Sequence, residues 1–373
     1  MTYYINSGGH SGGHSGGHSG GHSGGHSGGH GGETVNSAAL LAEAIERSRE
    51  AIQGDVIDKP PAGYSPALHQ PGDFDDLKLP RWEPWVHSLF IVPQLTQPLT
   101  FVPASGRKLA LKVSNQTAIT MSAPSLTVFA AQLPIVVAEA KHRQNRATEI
   151  LFQCNTTDPF WAAIVPFGGH TPATLSLLNV AFDFVRAVQM RFKHEFAIWR
   201  PSELSAQVQP IIAVPKHGSY PMGHACEAVM TATLLAELIN PGVPTDPHWL
   251  NIKEQLNRLA HRIGWNRIIA GVHYPYDMWA GMALGSWLGK YFLAACSGQP
   301  FSVDPVDFNV EAAHKTAQTG IYPSIADSHV KADNSGKLIV DDSSALRTLF
   351  LAAHREWDGY LRKPPAPPKG PLV

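Results

Sequence analysis

Cysteine is scarce: Cys154, Cys226 and Cys296 are the only three in 373 residues, they lie far apart, and none forms a CxxC pair. That excludes a disulfide framework and a zinc ribbon, and Cys226 reads as a small buried thiol. An excess of charge of one sign is also missing. Lys and Arg number 29 against 30 Asp and Glu, for a formal net charge of −1. Proteins that coat nucleic acid or anionic membrane need a large basic excess, so neither partner is expected. Charged residues make up only 16% of the chain, which implies extensive burial and favours a homo-oligomer, a dimer in the simplest case. The opening MTYYINSGGH lacks the basic start and apolar centre of a secretory signal. No apolar run reaches the length of a bilayer span, and the longest candidate, Met278–Gly289, is followed by Lys290. Together these absences predict a soluble, cytoplasmic protein.

What is present begins with a repeat. Residues 7–30 are consecutive copies of SGGH, and glycine at half the positions makes an ordered backbone costly. Residues 1–33 are therefore expected to be a disordered His-rich tail. Its regularly spaced imidazoles can collect Ni, Cu or Zn ions, either as a natural metal-collecting tail or as an added affinity tail. From Asn36 the pattern SAALLAEAIERSREAIQ places apolar residues at three- and four-residue steps and predicts a helix. Residues 58–130 are richer in proline and in short β-prone pieces such as LTFVPAS, and few regular elements are expected there.

Helical patterns then dominate: Pro134–Glu149, Pro172–Trp199, Gly223–Ile239, Pro247–Trp265 and Pro275–Cys296. Most open near a proline, which suits a first helical turn because its missing N–H has no partner there. Gly281, Gly285 and Gly289 form a stripe without side chains, over which a neighbouring helix can pack closely. The expected fold is mainly α, a helical bundle. A single catalytic domain over residues 34–300 carries it, followed by a loosely packed or subunit-contacting arm over 301–373. The surface arm is expected near residues 315–345, and the proline-rich end, 364–371, cannot pack as helix.

Three segments concentrate cationic and histidine side chains near helix ends. In KHEFAIWRP, Lys193 and Arg200 lie seven positions apart, two helical turns, and so would share a face. In HGSYPMGHA, Gly223 admits close backbone approach to a ligand, and His224 opens a helix whose free N–H groups favour an anion. In NRIIAGVHYPYD, Asp277 stands four residues after His273, where a carboxylate can fix the imidazole tautomer. With Arg267, these groups would bind a tetrahedral oxyanion. One histidine could attack or ligate the central atom while the other moves a proton.

The ordered triplet Lys193…Arg200-Pro201, Pro221-Met222-Gly223-His224 and Asn266-Arg267…His273…Asp277 resembles the signature of the type 2 phosphatidic acid phosphatase superfamily. That superfamily includes acid phosphatases, lipid phosphatases and vanadium-dependent haloperoxidases, and the resemblance covers residues 170–297. It implies that Lys193, Arg200, Arg267 and the Gly223 amide hold the oxygens of phosphate or vanadate. It also implies that His224 is the acid/base and that Asp277 orients His273. His273 would be the phosphoryl-accepting nucleophile of a phosphatase or the vanadium ligand of a haloperoxidase.

His217, with HGSYPxGHA, AIWRP and GVHYPYD, looks like bromoperoxidase versions of these segments. The resemblance thus implies a vanadate-dependent, bromide-preferring haloperoxidase that uses hydrogen peroxide and halide, with an organic acceptor as an optional third partner. Lys193 would polarise the bound peroxide. The alternative is a soluble phosphomonoesterase acting through phospho-His273, and a third reading is a non-catalytic oxyanion- or metal-binding protein. Two positions depart from the pattern. Met222 replaces a hydroxyl donor with a thioether, whereas Asn266 in place of serine still offers an amide donor.

Overall fold

A computed structural model of the chain describes residues 33–52, 82–297, 301–302, 306–308, 337–338 and 344–361. The SGGH tail and most of the 315–345 segment lie outside the described residues. The chain divides into two compact units, Gly13–Asp73 and a larger one comprising Met1–Gly12 and Phe74–Val373. In the smaller unit, α1 (Glu33–Ile52) is the helix expected from Asn36 onward. The larger unit holds the motif residues.

The larger unit is mainly α-helical, as expected. It opens with α2 (Pro84–Thr96), which proline at its start and a dominantly apolar sequence make a packed helix despite Pro93 inside it. A β-meander follows: β1 (Leu99–Ala104), β2 (Lys108–Val113) and β3 (Gln116–Ser122). The strands are antiparallel, with Leu99 opposite Val113 and Leu109 opposite Met121. Leu109, Leu111, Val113, Ile119 and Met121 are buried and give the sheet its core face. This sheet is a finding where few regular elements were expected, because short strands with mixed exposure carry weak periodicity.

Four short helices cross the space before the main bundle: α3 (Leu126–Ala130), α4 (Leu133–Glu139), α5 (Arg143–Phe152) and α6 (Asp158–Ala162). The helix expected over Pro134–Glu149 is in fact α4 and α5, separated by a 3₁₀ turn at Ala140–His142. The bundle proper consists of α7 (Pro172–Phe196), the one-turn α8 (Pro201–Leu204), α9 (Gly223–Leu238), α10 (Pro247–Ile269) and α11 (Pro275–Ser297). Helix α9 packs against α7, α10 and α11, while α2 covers α7 from outside.

Beyond α11 come β4 (Phe301–Ser302), β5 (Val306–Phe308), β6 (Lys337–Leu338) and α12 (Ser344–Arg355). Strand β5 joins the meander in parallel beside β3. The described part of the C-terminal arm is not loosely packed. Ala345, Leu346, Leu349, Ala353 and Trp357 are buried in the core. Glu356 takes the N–H groups of Ala173 and Thr174 at 2.8 Å each, capping the start of α7. A carboxylate at a helix N-terminus is favoured by the free N–H groups and the dipole, and this cap, with the buried apolar face, holds the C-terminal segment to the bundle.

The glycine stripe sets how closely α9 and α11 approach. A Cβ on Gly281 would lie 2.3 Å from the Met222 carbonyl oxygen, and one on Gly285 would lie 2.5 Å from that of Cys226. The nearest atoms to a Cβ on Gly289 would be those of the Thr233 side chain, at 3.1 Å and beyond. Gly285→Ala should therefore lower stability by about 1–3 kcal/mol, because a backbone carbonyl cannot step aside. Gly289→Ala should cost less, and urea denaturation of the two variants checks the order.

Candidate active site

The three segments converge because α9 and α11 begin, and α7 and α10 end, at the same place. Helix α7 stops at Phe196, where Ala197 takes a left-handed conformation (φ 45°) and its N–H bonds to the Lys193 carbonyl at 3.0 Å. Lys193 and Arg200 therefore do not share one helical face. Lys193 sits in the last turn of α7, and Arg200 lies beyond the reversal as the extended residue before α8. The turn, not the two-turn spacing, brings them together.

A cavity of about 130 Å³ is lined by Lys193, Arg200, Gly223, His224, Arg267 and His273, with His217 also on its wall. Lys193 Nζ donates to the carbonyls of Gly218 (3.1 Å) and Ser219 (2.9 Å). Arg200 donates from Nε to the His217 carbonyl at 3.2 Å and from one terminal nitrogen to the Val272 carbonyl at 2.8 Å. Arg267 donates to the Ile150 carbonyl (2.9 Å), to Gln153 Oε1 (3.1 Å) and to Cys154 Sγ (3.3 Å). Most cationic N–H groups are thus aimed by backbone carbonyls, which satisfy hydrogen bonds without cancelling charge. Helix α9 opens onto the cavity with no side-chain cap, so its first-turn N–H groups remain available.

Two buried polar atoms of the cavity wall, Arg267 Nε and His224 Nε2, have no hydrogen-bond partner among the described residues. Unpaired buried polar atoms are costly, so their placement marks where a ligand belongs. A tetrahedral oxyanion fits both the charge and the donors.

The state of His273 follows from its neighbours. Nε2 lies 2.9 Å from a terminal nitrogen of Arg200, and guanidinium can only donate. Nε2 therefore carries the lone pair, and Nδ1–H donates to Asp277 Oδ2 at 2.8 Å. Asp277 is fully buried, also accepts the Tyr274 N–H at 2.9 Å and faces the Ser219 hydroxyl at 3.4 Å. Burial raises its carboxyl to about 7, against the Tyr274 hydrogen bond and the charges of Lys193 and Arg200. Burial also pushes His273 and His224 well below the usual imidazole range, with Arg200 adding to the effect on His273 and Arg267 to that on His224. Lys193 is lowered well below the ordinary ammonium range by burial and then by Arg200.

Three expected residues take other positions. Met222 does not line the cavity: its side chain is fully buried in the core, and its N–H donates to the Asp277 carbonyl at 2.8 Å. Asn266 cannot offer a donor to an anion, since its Nδ2 hydrogens go to Glu149 at 2.8 Å and Gln153 at 3.0 Å. It acts instead by orienting Gln153 beside Arg267. His217 Nδ1 lies 3.2 Å from Arg200 and 3.1 Å from the Gly218 carbonyl, and burial lowers the imidazole to about 4. It positions Arg200 as a neutral group. Arg186, Gln189 and Glu227 also line the cavity and were not singled out from the sequence. The signal was there: Arg186 and Gln189 stand seven and four residues before Lys193, and Glu227 three after His224.

Residues 174–297 match the PAP2 superfamily, and the chain carries a PAP2 superfamily domain over that stretch. An undecaprenyl-diphosphatase of Sulfolobus acidocaldarius is 28% identical over 113 residues, covering 30% of this chain and 50% of that protein. The chain thus spans about half the length of that relative. A solved transmembrane PAP2 type phosphatidylglycerolphosphate phosphatase from Bacillus subtilis aligns with 45% of this chain and 89% of its own, at 19% identity and a TM-score of 0.33.

These findings correct the haloperoxidase expectation. The matching family is the PAP2 superfamily and the curated relative is a diphosphatase, so the comparisons favour the phosphatase alternative over a vanadium-dependent oxidation of bromide by peroxide. The feature that favoured it, His217, is accounted for by its contact with Arg200. Peroxide, halide and organic acceptor fall as partners. The expectation of a cytoplasmic protein with no membrane partner does not stand either, given an undecaprenyl-diphosphatase as a relative. Among the described residues, no helix is long and apolar enough to cross a membrane.

The depressed histidines give a sign for anion binding. Both are neutral near neutrality in the free protein, and a dianion in the cavity raises their proton affinity, so binding takes up a proton. Sulfate, which does not titrate in this range, should bind more tightly from about pH 8 to about pH 6, by up to about tenfold per pH unit for one proton taken up. Calorimetry in buffers of different ionisation enthalpy should show that uptake, and pH-independent sulfate affinity would contradict it.

Proposed function

We propose that the chain is a phosphatase that hydrolyses phosphate esters through a phosphohistidine on His273. The observation that carries this reading is the cavity itself. It joins a lone pair fixed on His273 Nε2 by Asp277 and Arg200 to two buried nitrogens without a hydrogen-bond partner among the described residues, the donor Arg267 Nε and the ring nitrogen His224 Nε2. The PAP2 superfamily domain over the same residues supports it.

The ester phosphate takes its hydrogen bonds from Arg267 Nε, the remaining N–H of Lys193, the first-turn amide of Gly223 and Arg200. Arg200 exchanges its contact with His273 for a phosphate oxygen, which frees the Nε2 lone pair. That lone pair attacks phosphorus while the ester P–O bond breaks, and protonated His224 gives its proton to the leaving oxygen. The imidazole now carries positive charge, which the Asp277 carboxylate stabilises through Nδ1–H. Water then attacks phosphorus, neutral His224 takes its proton, and the P–N bond breaks to return the pair to Nε2. The net change is one water consumed, with alcohol and phosphate released. Positioning and charge stabilisation carry most of the rate, as in phosphoryl transfer generally.

Vanadate fits the same donors by shape and charge, and under this reading it competes with substrate and activates nothing. His273→Ala should lower aryl phosphate hydrolysis by more than about a thousandfold and abolish labelling of the protein by a radioactive phosphoester. Orthovanadate should inhibit the native protein competitively. Undiminished turnover in His273→Ala would sink the mechanism.

A further inference from the structure

The cavity has two halves of opposite character. Its donor half holds Lys193, Arg200, Arg267 and the start of α9. The other wall holds acceptors, and the proposed reaction uses none of them. Glu227 is 3% exposed and lines the cavity one helical turn beyond His224. Its Oε1 receives Arg186 Nε at 3.3 Å and Gln189 Nε2 at 3.5 Å, while Oε2 accepts no hydrogen bond among the described residues. Gln189 is 4% exposed, and its Oε1 has no partner among them either. The place is tight: a Cβ on Gly223 would lie 2.8 Å from Gln189 Oε1, so α7 presses this amide against the anion-binding end of α9.

A buried carboxylate beside a phosphate site repels the substrate unless it has a purpose there. Two free acceptors call for a ligand group that donates. A metal ion is disfavoured, because the described residues contain no cluster of three or more His, Cys, Asp or Glu able to hold one. An ammonium is disfavoured as well. Arg186 already sits on Glu227, and Lys193, Arg200 and Arg267 line the same space. A neutral O–H meets the acceptors without adding positive charge.

On the phosphatase reading above, we infer that Glu227 and Gln189 recognise a free hydroxyl on the leaving group, close to the ester oxygen. The substrate class is therefore a polyol-type phosphate ester, and these two residues set specificity without touching the reacting atoms.

Purified full-length protein is assayed with p-nitrophenyl phosphate, glycerol 3-phosphate, propyl phosphate and ethanolamine phosphate. The expected result is a kcat/KM for glycerol 3-phosphate about tenfold or more above that for propyl phosphate. Ethanolamine phosphate should fall with propyl phosphate. In Glu227→Leu the glycerol-to-propyl ratio should drop to near one, and in Glu227→Gln to an intermediate value, with folding checked by circular dichroism. Should Glu227→Leu not fold, the ratio in the native protein and in Glu227→Gln still decides. Equal kcat/KM for glycerol and propyl phosphates, or a native ratio retained in folded Glu227→Leu, would overturn this inference and leave the phosphatase reading standing. Ethanolamine phosphate as the preferred ester would overturn the hydroxyl assignment. Hydrolysis of none of the four esters would overturn the phosphatase reading itself, and this inference with it.

Discussion

Asp277 is the point on which the site's geometry depends. Its carboxylate holds His273 Nδ1 and the Tyr274 N–H, and its backbone carbonyl takes the Met222 N–H. One residue thereby sets the His273 tautomer, shapes the entry into α11 and ties that entry to the start of α9. The glycine stripe makes this possible. With side chains at Gly281 and Gly285, α11 could not come close enough to α9 for the Asp277 carbonyl to reach Met222. Packing and chemistry are one constraint here: the helix contact that buries apolar surface also places the Gly223 amide, His224 and His273 around one cavity.

The same region concentrates positive charge that folding alone would disfavour. Transferring an ion out of water costs several kcal/mol even after relaxation, and Lys193, Arg200 and Arg267 are all nearly fully buried. A carboxylate beside each would lower that cost but cancel the field an anion needs. The chain instead turns the carbonyls of Ile150, His217, Gly218, Ser219 and Val272 towards them. Dipoles hold the cations in place while the net charge persists, which is how preorganised electrostatic stabilisation differs from a set of salt bridges. The depressed Lys193 and histidines are the visible cost of that arrangement in the free protein.

Much of this was legible in the sequence, and for identifiable reasons. The long helices α7, α9, α10 and α11 have strong periodicity and prolines at or near their starts, so their existence and their order were readable within a few residues. The three segments carrying Lys193, Arg200, Gly223, His224, Arg267, His273 and Asp277 were readable because residue type and spacing agree at several positions at once. The meander was not, since its strands are short and only one face is buried. The packing of α12 was not, because Glu356 caps a helix that begins 184 residues earlier in the chain, at Pro172, and no local pattern encodes such a pairing. Glu227 and Gln189 were missed for another reason: a polar residue on an apolar helix reads as one exception among many until a cavity is seen beside it.

Met222 shows why a departure from the motif need not disable the site. A serine immediately before α9 would stand at the N-cap, where its oxygen tends to accept one of the first-turn N–H groups while its hydroxyl serves the ligand. Methionine removes both actions. The lost donor weakens an oxyanion contact, yet the helix start carries no side-chain cap that would compete with the anion for its first-turn N–H groups. The thioether is buried away from the cavity, so it fills core volume and leaves the oxyanion's space unobstructed. Asn266 follows the same logic from the other side, giving up direct contact and using its amide to hold Gln153, which in turn holds Arg267. In both places the motif's contribution passes from a side-chain hydroxyl to groups that the fold already positions, the backbone amides in one case and a guanidinium in the other.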